Sequence, residues 1–202
     1  MYSTIEFGRY WSDNKPIEWF VLEETEDCYF AVSKYAILTK IFDEITDKWN
    51  ESSIRNWLNK DFIDLAFDNS ERASLMVVEI ITTNDPYLTW GGKSSTPIVS
   101  AVNSIDKVFL LSTEEVERFF KTKQERTLEF SQYAIETLHG EMDKLGIWWL
   151  RNEEELGWGP VRILADGSYD GEFDLADEDP AMLAGIRPAI YIKKEYFERD
   201  LR

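Results

Sequence analysis

Trp49–Phe62, WNESSIRNWLNKDF, is the stretch that divides the chain into its parts. Ile54, Trp57 and Leu58 fall at i, i+3 and i+4, the spacing of one helix face, and either Ser52 or Ser53 is placed to cap the first turn. Phe62, Leu65 and Ala66 repeat that spacing after Asp61, so a second short helix is expected. On the N-terminal side the period is two. Over residues 2–35 Ile17, Trp19 and Val21 alternate with Glu18, Phe20 and Leu22, and CYFAV (28–32) follows the acidic turn Glu23–Asp27. On the C-terminal side SLMVVEIIT (74–82) reads as a strand, with helix as the alternative. Residues 83–105, beginning TNDPYLTWGGKSSTP, lack periodicity and read as a loop. VFLLS (108–112) is a strand running into a helix with a capping box, Ser112 and Glu115, and a stripe of Val116, Phe119 and Phe120. A further helix is expected around Ser131–His139, stopped by Gly140. IWWLR (147–151), PVRILA (160–165) and GIRPAIYI (185–192) then return to β structure. The order β, α, β, without βαβ alternation, internal repeat or dividing linker, gives a single α+β domain over residues 1–202.

Composition narrows the chemistry. The 202 residues are 44% hydrophobic and 14% aromatic, which excludes a disordered chain and suffices for a core without covalent staples. One cysteine, Cys28, excludes an intramolecular disulfide framework and a CxxC pair. One histidine, His139, excludes sites built from several imidazoles of one chain. Cys28 lies on an expected strand and reads as a buried structural thiol; His139, before Gly140, reads as a helix-end cation. With 22 basic and 39 acidic residues the net charge is −17, which repels a phosphate backbone and an anionic membrane surface. Direct nucleic-acid binding and membrane binding are therefore not expected. No run approaches the roughly 18 apolar residues of a membrane span. The start, MYSTIEFGRYW, lacks a basic flank and an apolar h-region, so a cytoplasmic location is expected.

Five segments, read together, resemble a bacterial family of uncharacterised domains: FGRYW with KPIEWFVL (7–11 and 15–22), WNESSIRNWLNKDF (49–62), DKVFLLSTEE (106–115), WWLR (148–151) and GIRPAIYI (185–192). Ser131–Ala134 also looks like a Thr-x-Tyr-Ala of that family. The family is similar to the C-type-lectin-like fold shared by formylglycine-generating enzymes and the variable ligand-binding proteins of phage and bacterial retroelements. The resemblance implies mixed and antiparallel sheets with short helices, terminal strands that pair, and long loops forming a ligand face. It supplies no reaction. The formylglycine-generating relatives use cysteine chemistry and the sulfoxide-forming ones an iron held by histidines, and one Cys with one His assembles neither.

Arg55, Trp57, Asn59, Trp148, Trp149, Arg151 and Arg187 carry the resemblance and read as packing residues. Arg187 is expected to pair with a buried carboxylate such as Glu18 or Asp106, with a ligand-reading role for Arg151 or Arg187 as the minority alternative. Residues 163–186 hold seven acids and no Lys or Arg. DGSYDGEFDLAD (166–177) fits much of a calcium loop, with Asp166, Ser168, Asp170, Asp174 and Asp177 as candidate ligands, but position 12 is Asp instead of Glu. The competing and preferred reading is a β-hairpin turning at Asp166–Gly167. No other cofactor is implied.

Three tryptophans stand outside the shared pattern. Trp90 precedes Gly91–Gly92, Trp158 lies between Gly157 and Gly159, and Trp11 ends the first strand. Glycine-flanked loop aromatics are suited to lie flat on a sugar ring or an apolar ligand. Tyr87 and Asp85, with Asn84 and Glu155, stand nearby in sequence as hydrogen-bonding groups. A loop aromatic folded onto a satellite core is the plainer alternative. The expectation is a non-enzymatic ligand-binding module acting through Trp90, Trp158, Tyr87 and Asp85, with a glycan as candidate ligand. The alternative is an acidic protein–protein module that steers a basic partner or mimics nucleic acid. A carboxylate-based hydrolase comes third, since nothing in the sequence fixes two acids at a working separation.

Overall fold

Alternation decides the first elements: Ile17, Trp19 and Val21 are buried on one face of their strand, as period two requires. The computed structural model describes residues 2–83, 101–137, 145–153, 159–170 and 183–198. The chain opens with β1 (Thr4–Arg9), β2 (Pro16–Glu24) and β3 (Cys28–Ser33), an antiparallel meander, then a short β4 (Thr39–Lys40). A 3-10 turn (Trp49–Glu51) leads into α1 (Ser53–Trp57), a π-helical turn (Leu58–Phe62), α2 (Ile63–Ala66) and α3 (Asn69–Ser74). β5 (Val78–Thr83), β6 (Ala101–Asp106) and β7 (Val108–Leu110) follow, then α4 (Thr113–Phe119), α5 (Lys123–Arg126), β8 (Leu128–Glu129), α6 (Gln132–Thr137) and β9 (Leu145–Gly146). β10 (Trp148–Glu153), β11 (Pro160–Ile163), β12 (Tyr169–Asp170), β13 (Ala184–Gly185), β14 (Pro188–Lys193) and α7 (Glu195–Glu198) complete the described chain.

Two five-stranded sheets result, β1-β2-β3-β14-β7 and β12-β11-β10-β13-β4, with two-stranded β5-β6 and β8-β9 beside them. Strand pairing is antiparallel except between β10 and β13. The mixed, mainly antiparallel α+β architecture with short helices is the one expected. One detail differs. β1 and β14 do not pair: they share a sheet, but β14 lies between β3 and β7, because β1 and β2 add outside β3.

Of the two serines offered as caps, Ser52 is the one whose side chain accepts from the Arg55 N–H. The Ser112–Glu115 capping box forms as expected, and Asp68 and Glu71 form another that opens α3. The stretch 74–82 resolves in favour of strand, from Val78 on. The loop expected over 83–105 is strand at both ends, Thr83 closing β5 and Ala101–Asp106 forming β6, while 84–100 lie outside the described residues. No helix of the described residues is long and apolar enough to cross a membrane.

The interior is aromatic, and its polar edges are matched. Trp19, Trp49, Trp148 and Trp149 are buried, and each indole N–H finds an acceptor: Phe7 O, Asp106 Oδ2, Arg126 O and Lys40 O. Cys28 is a buried free thiol. Trp11 lies just past β1, half-buried, with its ring 4.9 Å from Tyr133 and edge-on to Trp57 and Phe62. It takes the satellite-core alternative.

Candidate functional site

The helical run is welded to the strands by the residues of the WNESSIRNWLN stretch. The Asp106 carboxylate, wholly buried, accepts from Trp49 Nε1 at 3.0 Å, Ser104 Oγ at 2.6 Å and Arg55 Nε at 2.7 Å. The π-helical turn carries Asn59, whose Oδ1 accepts the N–H groups of Lys107 and Val108 while its amide donates to the carbonyls of Val108 and Arg55. These residues hold the fold, as their packing role anticipated.

The expected partners of Arg187 are otherwise engaged: Asp106 pairs with Arg55, and Glu18 with Lys34. The Arg187 guanidinium sits instead between two ring faces, 4.7 Å from the Phe120 centroid and 4.9 Å from that of Trp148. Its Nε donates to Ser33 O, and its buried Nη1 has no hydrogen-bond partner among the described residues. Burial pushes this group from 12.5 down to about 9. Arg151 is likewise buried and committed: Nη1 and Nη2 reach the Glu115 carboxylate at 2.5 and 3.1 Å, Nη1 also bonds Leu110 O, and the group lies over the Phe109 ring. Neither arginine is presented to solvent.

The loops proposed to carry the ligand leave from one region. The ends of 84–100 meet where Thr83 pairs with Ala101, and those of the next loop where Glu153 pairs with Pro160. Asn152, 0% exposed, ties these bases together. Its Oδ1 accepts from Thr113 N at 2.8 Å, and its Nδ2 donates to Thr83 O at 2.7 Å. Thr83 Oγ1 donates in turn to Glu114. Sequence reading passed over Asn152, which carries no motif of its own beyond following WWLR. Glu153, at the same end of β10, has its carboxyl pushed up by burial first and by the neighbouring Asp47 charge second. Trp90, Trp158, Tyr87 and Asp85 themselves lie outside the described residues, as do Asn84, Glu155 and His139.

Of the calcium-loop candidates, Asp174 and Asp177 lie outside the described residues. Asp166, Ser168 and Asp170 belong to a hairpin between β11 and β12. Leu164 N donates to Ser168 O and Gly167 N to Leu164 O, so the turn spans three residues, not two, with Gly167 at φ +81° closing it. A Cβ on Gly167 would come 2.0 Å from Lys123 O. Asp166 faces Lys123 at 3.3 Å and Asp170 faces Arg162 at 2.7 Å. The hydroxyl and amide of Ser168, with Lys123, hold Asp166 down to about 2. Among the described residues, no group of three His, Cys, Asp or Glu side chains is placed to hold a metal ion.

One open groove borders this region. It encloses about 500 Å3 between β5 and the side chains of Glu115, Arg151 and Tyr191. Tyr191, the one described aromatic residue lining it, stacks at 4.6 Å on Phe30.

The profile of a family described as a domain of unknown function (DUF6273) matches residues 30–194. No curated protein and no solved structure matches the chain.

Proposed function

The chain belongs to the DUF6273 family, and on that premise we propose that it is a non-enzymatic ligand-binding domain on a C-type-lectin-like framework. Within the matched span the first strand, β3, and the last, β14, pair antiparallel over three residue pairs, from Val32 with Ala189 to Phe30 with Tyr191, which supports that framework. The observation that carries the ligand reading is Asn152. A fully buried amide that joins the origin of the Trp90 loop to the strand from which the Trp158 loop departs makes one rigid base for two aromatic loops. A glycan ring stacked on Trp90 and Trp158, with Asp85 and Tyr87 as hydrogen-bonding groups, is the ligand class this arrangement suits. The lone buried thiol suits a reducing, cytoplasmic setting. Glu153 is the single raised carboxylic acid among the described residues and lies outside the groove, so the carboxylate-hydrolase reading gains little from it.

A thermal-shift panel of oligosaccharides tests the proposal. A ligand at a hundred times its Kd adds about 2.7 kcal/mol, a rise of roughly 5–10 °C at this size. Trp90→Ala and Trp158→Ala should each abolish the shift without lowering the unliganded melting temperature. A panel without a shift, or a shift that survives both substitutions, removes the loop face as the site. A second reading, an acidic module for a basic protein partner, is favoured by the net charge of −17 together with the exposed apolar side chains of Val77, Ile81 and Ile105.

A further inference from the structure

The β5–β6 hairpin has one edge of β5 that pairs with β6 and one that no described strand pairs with and only side chains reach, and register distinguishes them. Ile81 O accepts from Arg151 Nη2, Thr83 O from Asn152 Nδ2 and Ile105 O from Arg55 Nη2. All three donors lie outside the hairpin. The odd-numbered residues of β5 therefore turn their backbone groups away from β6, and the ladder bonds fall on Val78–Asp106, Ile80–Ser104 and Thr82–Val102. On a strand a residue's N–H and C=O point to the same side, so the N–H groups of Glu79 and Ile81 face the outer edge, where no described residue accepts them. The groove of about 500 Å3 runs along this edge, opposite Arg151, Glu115 and Tyr191.

Natural sheets blunt such an edge with Lys, Pro or a bulge. β5 is VEIITT, five of its six residues β-branched, without Lys or Pro, and its register with β6 is unbroken. Ile81 and Val77 beside it are 55% and 59% exposed. Charge selects the occupant. Glu79 at one end accepts from Asn103, and Glu114 at the other from Thr83; neither meets a cation among the described residues. A second copy of the chain would bring another net charge of −17.

We propose that the outer edge of β5 is a strand-addition site that takes an extended, basic, alternately apolar segment of a protein partner. The inference rests on the protein-partner reading and is independent of the glycan face. The N–H groups of Glu79 and Ile81 supply pairing, the Ile81 carbonyl being already held by Arg151, and Glu79 and Glu114 select lysine or arginine side chains.

The test uses a labelled hexapeptide alternating lysine and valine, its counterpart alternating glutamate and valine, and the lysine peptide N-methylated on alternate residues. The lysine peptide should bind and slow hydrogen exchange at the amides of Glu79 and Ile81. The glutamate and N-methylated peptides should bind at least roughly tenfold more weakly. Ile81→Pro should have the same effect on the lysine peptide, because it removes an outward N–H and leaves the ladder intact. Should that variant fail to fold, the N-methylated peptide asks the same question of the unaltered protein. Equal binding of the N-methylated peptide, or binding without protection of those amides, overturns strand addition while leaving the partner reading standing. Failure of both basic peptides to bind overturns both. A concentration-dependent dimer that protects the same amides replaces the partner with a second copy and overturns the proposal.

Discussion

The two faces of the β5–β6 hairpin are built from alternate residues of the same two strands and share almost nothing else. On the inner face Ile80, Thr82, Ser104 and Asp106 are buried, and Asp106 collects three donors from Trp49, Ser104 and Arg55. On the outer face Ile81 and Ile105 stand 55% and 69% exposed, beside a Glu79–Asn103 hydrogen bond that is itself exposed. One step along the chain separates a structural weld from a display surface. The comparison teaches that a polar residue in a strand can belong to the core and an isoleucine to the surface, and that the partner across space decides which.

The sharpest way to break that contrast is Asp106→Ala. It strands the half-buried Arg55 guanidinium without its carboxylate and leaves the Trp49 N–H and Ser104 hydroxyl unmatched. The expected loss is about 3–5 kcal/mol, read as a lower denaturant midpoint at constant slope. Asp106→Asn should fall between, since one carbonyl oxygen can serve the two neutral donors while the amide faces Arg55. A loss below about 1 kcal/mol in the alanine variant would mean that the weld is not holding the hairpin.

Alkaline pH probes the closed interior without touching the hairpin. Burial pushes the Tyr10 phenol from 10.0 up to about 12, with the Ser131 hydroxyl offsetting part of the rise. Below pH 10 the phenol is protonated in both states and stability does not depend on it. Between about 10 and 12 the unfolded chain releases the proton and the fold retains it, so stability falls with rising pH, by about 2–3 kcal/mol at the upper end. Tyr10→Phe removes this dependence. The stability difference between the two proteins should therefore shift in favour of the phenylalanine variant across that window. A difference that stays flat with pH would place Tyr10 in contact with water.

Much of the architecture was legible because it is local. The Ser112–Glu115 box, the Ser52 cap and the alternation of Ile17, Trp19 and Val21 are each decided within a few residues. β6 was not, and AVNSID shows why. Its buried positions include Ser104 and Asp106, and its most exposed large residue is Ile105, so the usual apolar alternation is inverted. Only the distant Trp49 and Arg55 make that inversion stable. The same reason misplaced Arg187. A buried cation suggests a carboxylate, but the ring faces of Phe120 and Trp148, 67 and 39 residues away in sequence, come together only in the fold. Asn152 is likewise an amide with no pattern around it until Thr83 and Thr113 arrive.

The inner face is not perfect, and its flaw sharpens the comparison. Thr82 Oγ1 is buried with no hydrogen-bond partner among the described residues. A hydroxyl taken from water and left unmatched costs about 1 kcal/mol or more, so the near-isosteric Thr82→Val should raise stability by about 1 kcal/mol. A decrease of that size would show that the hydroxyl is satisfied in solution.

The smallest expected effect is the most discriminating. Ile105→Lys places a charge on a strand at the heart of the hairpin, immediately before the residue whose truncation is expected to cost the most. If the outer face is open, the lysine ammonium is solvated and the stem lies along the strand, so stability should change by no more than about 0.5 kcal/mol. The sign is expected to be favourable, because Ile105 pairs across the strands with Glu79, and an opposite-charge pair at that position contributes about 0.2–1 kcal/mol. Urea unfolding of the variant measures both. A loss above about 1 kcal/mol would mean that another part of the chain covers Ile105 in solution. The outer face would then be a second interior, and the open edge of β5 would lose its meaning with it.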